Sequence, residues 1–511
     1  MSPRLLHYSD LENAYDTPER IGRVAGLLAA RRGPNTLVAG SGDNTSPGVL
    51  SLVTEGRQSL NFFEAVSPHV ETVGNHDLDH GDDALVDLVA DAPQQWVLAN
   101  VTLDGGQFGA SAGIEPRTTV ALPDATVGVV GVLDPRTPEM TPGTGHLAFD
   151  DPVAAIEREC ARFREAGAGA GPDYVVALAH VTGEDAERIA RETPVDAVLA
   201  GHSHEQTAAV IDGTPLTRPG ATGSVVYELD LDAGEITPHE TATVEPDEGV
   251  VVALRQRLRD SGLDEVVART DDPLSRDHEA RIAGEWRLGN FVADAYRWKT
   301  GADVGLQNGG GIREGPPLAG EVTAADLVSC SPFDEPVVVA EVSGAQLRAL
   351  AHEADGRLVR AIPDRWWGHV SGMRIEQSDG DGEASDDGHG PTDDRGNEAG
   401  DEQAADGSAL EVYEVTVDGA PVEPGETYTV AMPAYLLKTD REFPTVDATH
   451  RIDRTAPQYE VLVEYARERG IEVELEGRVP GTVATGGVRG PGGQGGRRNR
   501  GDGDDPSAEG T

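Results

Sequence analysis

The feature that most constrains this chain is a regular alternation of short apolar segments with amphipathic segments between residue 4 and about residue 231. The apolar segments are rich in valine, leucine and alanine, which is typical of buried strands. The predicted strands are Arg4–Ser9, Thr36–Ala39, Val70–Val73, Trp96–Ala99, Val127–Val132, Tyr174–Ala179 and Ala197–Ala200. The helices predicted between them are Pro18–Arg31, Asp83–Asp91, Pro152–Glu165 and Glu184–Glu192. This order predicts a layered α/β domain.

A second pattern of strands and helices begins after residue 278 and predicts an α+β domain. Its predicted elements are the helices Trp286–Thr300 and Gly344–Ala354 and the strands Asp303–Leu306, Pro336–Val342, Val412–Val417 and Tyr428–Met432. The helix Gly249–Arg259 and the loop Thr270–Asp277 are predicted to connect the two parts. We therefore expect domains at residues 1–245 and 279–480, joined by a linker at residues 246–278.

Two segments have compositions that cannot form a packed core. Residues 377–408 contain 11 acidic residues and one arginine, with almost nothing apolar. Residues 481–511 are rich in glycine. Because such segments bury too little apolar surface to offset the entropy of ordering, we expect a disordered insertion and a disordered tail.

The net charge excludes some partners. Lysine and arginine number 41 against 90 aspartates and glutamates, and 41 − 90 = −49. We therefore expect neither a nucleic acid nor an anionic membrane as partner. Lysine occurs only at Lys299 and Lys438, and the acidic residues are spread along the chain. This composition resembles proteins of salt-in halophiles of the archaeal type, although an acidic protein of an ordinary cell remains an alternative.

The two cysteines, Cys160 and Cys330, lie far apart and in no metal-ligand spacing, so we expect buried free thiols. The chain starts without a signal-peptide pattern and has no apolar window of membrane-spanning length. We expect a cytoplasmic protein.

Polar residues follow the predicted strands at five places, namely Asp10, Asp43, Asn75, His180 and His202. In open α/β sheets, ligands bind beyond the carboxyl ends of the strands. Glu12, His76 and His204 lie next to these positions. This mixture of oxygen and nitrogen ligands suits a pair of divalent metals of the Mn²⁺, Mg²⁺, Fe or Zn²⁺ type. Each residue alone could equally be a turn, a helix cap or part of a surface loop.

Taken in order, these residues form motifs that resemble a known family. The first domain contains Asp10-Leu11-Glu12, Gly42-Asp43-Asn44, Gly74-Asn75-His76-Asp77-Leu78-Asp79, His180 and Gly201-His202-Ser203-His204, which resemble calcineurin-like metallophosphoesterases. The second contains Leu288-Gly289-Asn290-Phe291, Asn308-Gly309-Gly310-Gly311-Ile312-Arg313, Pro332-Phe333 and Ser371-Gly372-Met373-Arg374. Together the domains resemble the 5′-nucleotidase family over residues 4 to 470, except the insertion.

The resemblance implies a four-layer N-terminal β-sandwich flanked by helices, with two metals at its edge. One metal would be held by Asp10, Asp43 and His204, and the other by Asp43, Asn75, His180 and His202. His76 would be the catalytic histidine and Asp79 would orient its ring, although Asp79 could instead be a helix cap.

For the C-terminal α+β domain, the resemblance implies a nucleotide site. Asn308 and Arg313 would contact the nucleoside and the phosphate, and Gly310 would let the backbone approach the ligand. Phe333 and Tyr435 would stack on either side of the base, although Phe333 could instead be a core residue.

Three positions depart from the family pattern. Glu12 stands where a histidine is expected, and a carboxylate there favours Mn²⁺ or Mg²⁺ over Zn²⁺. Gly284 replaces an arginine, and Arg287 is the nearest substitute. The segment Thr439-Asp440-Arg441-Glu442 replaces a Gly-Gly-Asp-Gly turn, with Asp440 as the candidate for the substrate-facing aspartate.

We therefore expect a dimetal phosphoester hydrolase, most simply a 5′-nucleotidase with a small nucleotide as its substrate. Alternatives are a 2′,3′-cyclic nucleotide phosphodiesterase, a UDP-sugar hydrolase, a sulfur-chemistry hydrolase of the same superfamily or a non-catalytic nucleotide-binding relative. The sequence leaves the oligomeric state open.

Overall fold

The computed structural model describes residues 2–141, 143–165, 171–356, 365–377 and 413–480. Apart from Gln377, the predicted insertion and the predicted tail lie outside these ranges. Both cysteines are buried free thiols, as expected. In the part of the chain that the structure describes, no helix is long and apolar enough to cross a membrane.

Two stacked sheets form the N-terminal half. In spatial order, the first sheet contains Ile236–Glu240, Val225–Asp230, Arg4–Tyr8, Thr36–Ser41, Val70–Thr72, Gln95–Val97 and Ile114–Glu115. The second contains Thr207–Ile211, Thr214–Arg218, Ala197–Ala200, Tyr174–His180, Thr126–Leu133 and Arg117–Ala121. Apolar side chains such as Leu37 and Leu178 pack in one core between the sheets. The central strands of each sheet are parallel, so their carboxyl ends share one edge.

Helices cover both outer faces. Five helices contribute to the core on the outer side of the first sheet, namely Pro18–Arg31, Val49–Thr54, Ser59–Val66, Asp82–Asp91 and Glu248–Asp260. The second sheet is covered by Pro152–Glu165 and Gly183–Glu192. The expected four-layer arrangement is therefore confirmed. Glu248–Asp260, which the sequence placed in the linker, packs against Pro18–Arg31, because Val251 lies over Gly22.

The C-terminal half is α+β, as expected. Its five-stranded sheet contains Gly368–Ser371, Val304–Asn308, Thr427–Pro433, Pro336–Ser343 and Arg451–Pro457. Its longer helices are Arg287–Thr300, Gly344–Glu353 and Gln458–Arg469. Smaller elements are the strands Met373–Gln377, Tyr413–Val417 and Ala420–Pro421 and the short helices His278–Ile282 and Ala324–Val328.

One predicted loop is partly a strand. The segment Thr270–Asp277 begins inside the strand Val266–Leu274, which pairs antiparallel with Leu318–Thr323. The segment contains the exposed acidic pair Asp271 and Asp272, but Thr270 and Leu274 on either side of them are buried. Tertiary pairing therefore outweighs the local composition.

Candidate metal centre and substrate cleft

The residues that follow the parallel strands have an unusual backbone conformation. Asp10, Glu12, Asp43 and His202 have φ angles of 51°, 46°, 53° and 72°. This left-handed region is uncommon for residues other than glycine, and such residues often lie at functional sites. The strained turns direct four of the predicted ligands toward the shared sheet edge.

The first group at this edge consists of Asp43, His180 and His202, whose candidate ligand atoms all lie within 4.8 Å of one another. Nε2 of His180 is 3.0 Å from Oδ2 of Asp43. Its Nδ1 is 2.8 Å from the carbonyl oxygen of Ser41, to which it can donate, so Nε2 is left as the metal-binding nitrogen. The amide oxygen of Asn75 is 2.9 Å from Nδ1 of His202 and completes the group.

The second group consists of Asp10, Glu12 and His204, which lie equally close together. Nε2 of His204 is 2.8 Å from Oε1 of Glu12 and 3.9 Å from Oδ1 of Asp10. The amide of His202 donates to Oδ1 of Asp10, which joins the two groups. Glu12 thus lies among the candidate ligands although it replaces a histidine.

These residues fit divalent metal ions. Oδ2 of Asp10 is buried and has no hydrogen-bond partner among the described residues, and the buried Nε2 of His180 faces the carboxylate of Asp43. Burial raises the pKa of Asp10 to about 7. Three buried carboxylates at one place are unfavourable without a cation, and their oxygens together with the imidazole nitrogens suit hard to borderline divalent ions.

His76 lies at the rim of the two groups and forms a pair with Asp79. Nδ1 of His76 is 2.9 Å from Oδ2 of Asp79, and the amide of His76 donates to Oδ1 of Asp43. Burial alone would lower the pKa of His76. The carboxylates of Asp79 and Asp43 outweigh this effect and raise the pKa above its ordinary value, to about 9. In this structure the imidazole therefore carries a proton at neutral pH.

Asp77 lies in the motif that also contains Asn75 and His76, but no role was predicted for it. Its buried carboxylate accepts hydrogen bonds from the amides of Gly74, Asp43, Asn44 and Thr45 at 2.7 to 3.1 Å, and from the hydroxyl of Thr45. It therefore ties the loop of Asp43 to the loop of Asn75.

Asp134 was also missed, although it follows the strand Thr126–Leu133 directly. Its buried carboxylate pairs with Arg136 at 2.8 Å and lies 3.7 Å from Nε2 of His202. A carboxylate beside the second nitrogen of a ligating histidine typically orients the ring. Its place at a strand end is the same signal that indicated the other five residues.

Several predicted nucleotide residues of the C-terminal half lie around the turn Gly309–Gly311, and we call this region the C-terminal cleft. The guanidinium of Arg313 lies over the ring of Phe333 at 4.7 Å and donates to the carbonyl oxygen of Gly310 at 3.3 Å. Arg281, a residue the sequence did not indicate, donates to the carbonyl oxygen of Ile312 at 3.2 Å. Burial and then the charge of Arg281 lower the pKa of Arg313, so two guanidinium groups lie near one another here.

Three other predicted substrate residues, Asn308, Asp440 and Tyr435, have different surroundings in the structure. Asn308 donates to Oε2 of Glu442 at 2.8 Å, whereas among the described residues no hydrogen bond joins Asp440 to Asn308. Tyr435 is 40% exposed in the turn Ala434–Leu437. The turn therefore directs Glu442, not Asp440, at Asn308.

Arg287 is not brought to the glycine-rich turn. Its guanidinium donates to the carbonyl oxygen of Val473 and to Asp272, both at 2.8 Å. Arg287 is the first residue of the helix Arg287–Thr300, and its side chain extends toward Val473 and Asp272. Arg281, on the preceding short helix, contacts the glycine-rich turn instead.

Comparisons with known proteins agree with this division. Residues 3–206 match the family model "Calcineurin-like phosphoesterase", and residues 266–448 match "5'-nucleotidase, C-terminal domain". An endonuclease, YhcR, of Bacillus subtilis is 24% identical over 62% of this chain and 28% of its own length. A 5′-nucleotidase of Diplobatis ommata is 25% identical over 62% of each protein. This chain thus spans less than two thirds of these relatives.

A solved structure shows the same fold over nearly the whole chain. It is a 5′-nucleotidase precursor from Thermus thermophilus, with a TM-score of 0.61, 21% identity and coverage of 94% of this chain and 99% of that one. Both domain families point to a metal-dependent phosphoester hydrolase.

Proposed function

We propose that this chain, which has the two-domain composition of the 5′-nucleotidase family, releases phosphate from nucleoside 5′-monophosphates. The observation that carries the proposal is the pair of adjacent ligand groups at one sheet edge, with a buried oxygen of Asp10 that has no hydrogen-bond partner among the described residues. A phosphoester is the substrate class for which two adjacent divalent ions are suited.

In this proposal, Asp10, Glu12, Asp43 and His204 would hold one metal, and Asp43, Asn75, His180 and His202 would hold the other, so that Asp43 would belong to both sets. When bound, the ions supply a nucleophile from water at neutral pH and offset the charge of the phosphoryl oxygens. The carboxylate of Glu12 in place of an imidazole favours Mn²⁺ or Mg²⁺.

His76 donates a proton to the leaving alkoxide. Its short contact with Asp79 orients the ring, and the carboxylate of Asp79 favours the protonated imidazole by raising its pKa. Asp77 acts as a positioning residue, because it holds the loops that carry Asp43 and His76.

The nucleotide binds at the C-terminal cleft. The guanidinium groups of Arg313 and Arg281 attract its phosphate, and Phe333 and Tyr435 stack on its base. Gly310 lets the backbone approach the ligand, and the pair of Asn308 and Glu442 meets the nucleoside. Arg281 thus takes the part that Arg287 was expected to play.

A second candidate substrate class is a 2′,3′-cyclic nucleotide or a nucleotide-sugar diester. The altered turn is the reason to test this class, because Glu442 rather than Asp440 accepts a hydrogen bond from Asn308. The contacts of the nucleoside would therefore differ from those that the family pattern implies. The metal-ligand groups themselves do not require a particular leaving group, so they are compatible with either substrate class.

We also propose that the protein works in concentrated salt. Its charge of −49 would destabilise a compact state through self-repulsion in dilute buffer, and salt screens this repulsion.

The test is product formation from 5′-AMP, p-nitrophenyl phosphate and 2′,3′-cyclic AMP in molar KCl with Mn²⁺, followed by chromatography. Turnover of 5′-AMP above the other two supports the first candidate. Preference for the cyclic substrate moves the assignment to the second. If none of the three reacts, the proposed hydrolase activity is wrong.

A further inference from the structure

A glutamate outside the ligand groups is fully buried in the strand Val70–Thr72 of the first sheet. Because side chains alternate along a strand and Val70 packs between the two sheets, Glu71 points to the outer, helix-covered face. There it contacts Tyr8, whose ring packs edge-on against Phe62 with the centroids 5.4 Å apart. Burial raises the pKa of Glu71 to about 8. An acid group in such a core is costly, and an apolar side chain of similar size is often as stable, which favours a role other than stability.

The neighbouring strand leaves room for this acid group. Gly40 lies opposite Glu71 in the parallel pair of strands, and a Cβ on Gly40 would clash with the carboxyl oxygens of Glu71. The hydroxyl of Tyr8 donates to Oε1 of Glu71, and Nδ2 of Asn44 donates to Oε2 at 2.9 Å. Tyr8 and Asn44 are themselves fully buried. Glu71 is therefore held as a hydrogen-bond acceptor for two specific side chains.

Asn44 is the partner that reaches the metal centre. It follows Asp43 directly, and its side-chain oxygen accepts from the amide of Leu11 at 3.3 Å. Leu11 is the middle residue of the turn Asp10–Glu12, which carries ligands of the first metal. A side-chain amide that donates on one side and accepts on the other satisfies both contacts in only one orientation. The acceptor on Glu71 thus fixes the orientation in which Asn44 joins this turn to Asp43.

We propose that Glu71 is a positioning residue of the metal centre, which sets the spacing between the turn Asp10–Glu12 and Asp43 and thereby the affinity for divalent ions. This inference rests on the two-metal centre of the proposed function. Glu71 acts through Asn44 and takes no part in the chemistry. Groups that orient metal ligands from outside typically change metal affinity or activity 10- to 100-fold when they are substituted, so the effect is measurable.

The test measures Mn²⁺ binding to the chelator-treated full chain in molar KCl. Electron paramagnetic resonance of the free ion gives the bound fraction, so the readout does not depend on activity. Glu71→Met removes the acceptor with little change in size, whereas Glu71→Gln keeps a carbonyl acceptor for Asn44. We expect the dissociation constant for Mn²⁺ to rise about 10-fold in Glu71→Met and to stay near the wild-type value in Glu71→Gln.

Glu285→Met is the matched control. Glu285 is a buried glutamate of the C-terminal half that likewise accepts from Nδ2 of an asparagine, Asn290. Its substitution should lower the thermal midpoint without changing the affinity for Mn²⁺. Unchanged affinity in Glu71→Met, or equal weakening in Glu71→Met and Glu285→Met, would overturn the proposal. A wild type that binds fewer than two Mn²⁺ ions per chain would contradict the two-metal centre, and with it this proposal.

A second variant tests the route through Asn44. If Glu71 acts by orienting Asn44, the double variant Glu71→Met with Asn44→Ala should bind Mn²⁺ as Asn44→Ala alone does, because both substitutions break the same connection. Losses of affinity that multiply would contradict this route. Asn44→Ala also decides the matter if Glu71→Met fails to fold, since unchanged Mn²⁺ affinity in Asn44→Ala would overturn the proposal.

Discussion

The metal centre and the C-terminal cleft differ in how far their polar atoms are already satisfied. At the metal centre, a buried oxygen of Asp10 has no hydrogen-bond partner within the described ranges, and Nε2 of His180 faces acidic groups. In the cleft, Asn308 bonds Glu442 and the guanidinium of Arg313 lies on Phe333. The first region is therefore arranged to receive cations, whereas the second contains contacts that a ligand must replace or extend. We therefore expect substitutions at the metal centre to lower kcat, and substitutions in the cleft to change KM for nucleotides.

The largest effect is expected from Asp43→Asn. Because Asp43 is proposed to contact both metals, losing its charge should lower kcat by about 10³-fold or more for every phosphoester. Initial rates and metal content would be measured with Asp87→Asn, an exposed helix residue, as the control. Retained activity would remove Asp43 from the bridging role.

His76→Ala should separate substrates by their leaving groups. For 5′-AMP, whose alkoxide needs a proton, we expect a loss of about 10²–10⁴-fold in kcat. For p-nitrophenyl phosphate, whose phenolate leaves without one, the loss should be much smaller. Parallel kcat measurements decide this, and equal losses on both substrates would mean that His76 is not the proton donor.

Arginine substitutions test the cleft. Arg281→Gln and Arg313→Gln should each raise KM for 5′-AMP about 10- to 100-fold, since each removes a charged hydrogen bond to phosphate. Arg287→Gln is the matched control and should leave KM unchanged, because its guanidinium contacts Val473 and Asp272 and not the glycine-rich turn. A larger effect at Arg287 than at Arg281 would reverse the assignment.

The smallest effect is expected in the pH profile of Asp79→Asn. Asp79 and Asp43 outweigh burial and raise the pKa of His76 to about 9. Without the Asp79 carboxylate this pKa falls, so the proton donor is lost at lower pH. The basic limb of kcat should therefore move down by about one pH unit. An unchanged limb would show that His76 does not set it.

The parts that follow local rules could be predicted from the sequence. The helices Pro18–Arg31 and Pro152–Glu165 lie where periodicity placed them, and the polar residues at five strand ends meet at one edge. Parallel strands dictate this convergence whatever the details of packing. The same rule would have added Asp134.

The cleft was harder to predict because its residues come from loops of different elements. Arg281 precedes the Leu288 motif, and only the packing of the short helix His278–Ile282 brings it to the turn. Likewise, the path of the turn after Tyr435 decides that Glu442 rather than Asp440 reaches Asn308. Side-chain direction in such loops is a tertiary property that residue spacing does not encode.

The most direct test of the proposed metal centre is a metal titration of chelator-treated protein in molar KCl. Bound Mn²⁺ per chain would be measured together with phosphate release from p-nitrophenyl phosphate, a substrate that does not depend on the cleft. We expect activity to be complete only when two ions are bound per chain. Full activity with one bound ion, or with none, would contradict a two-metal centre built on Asp43.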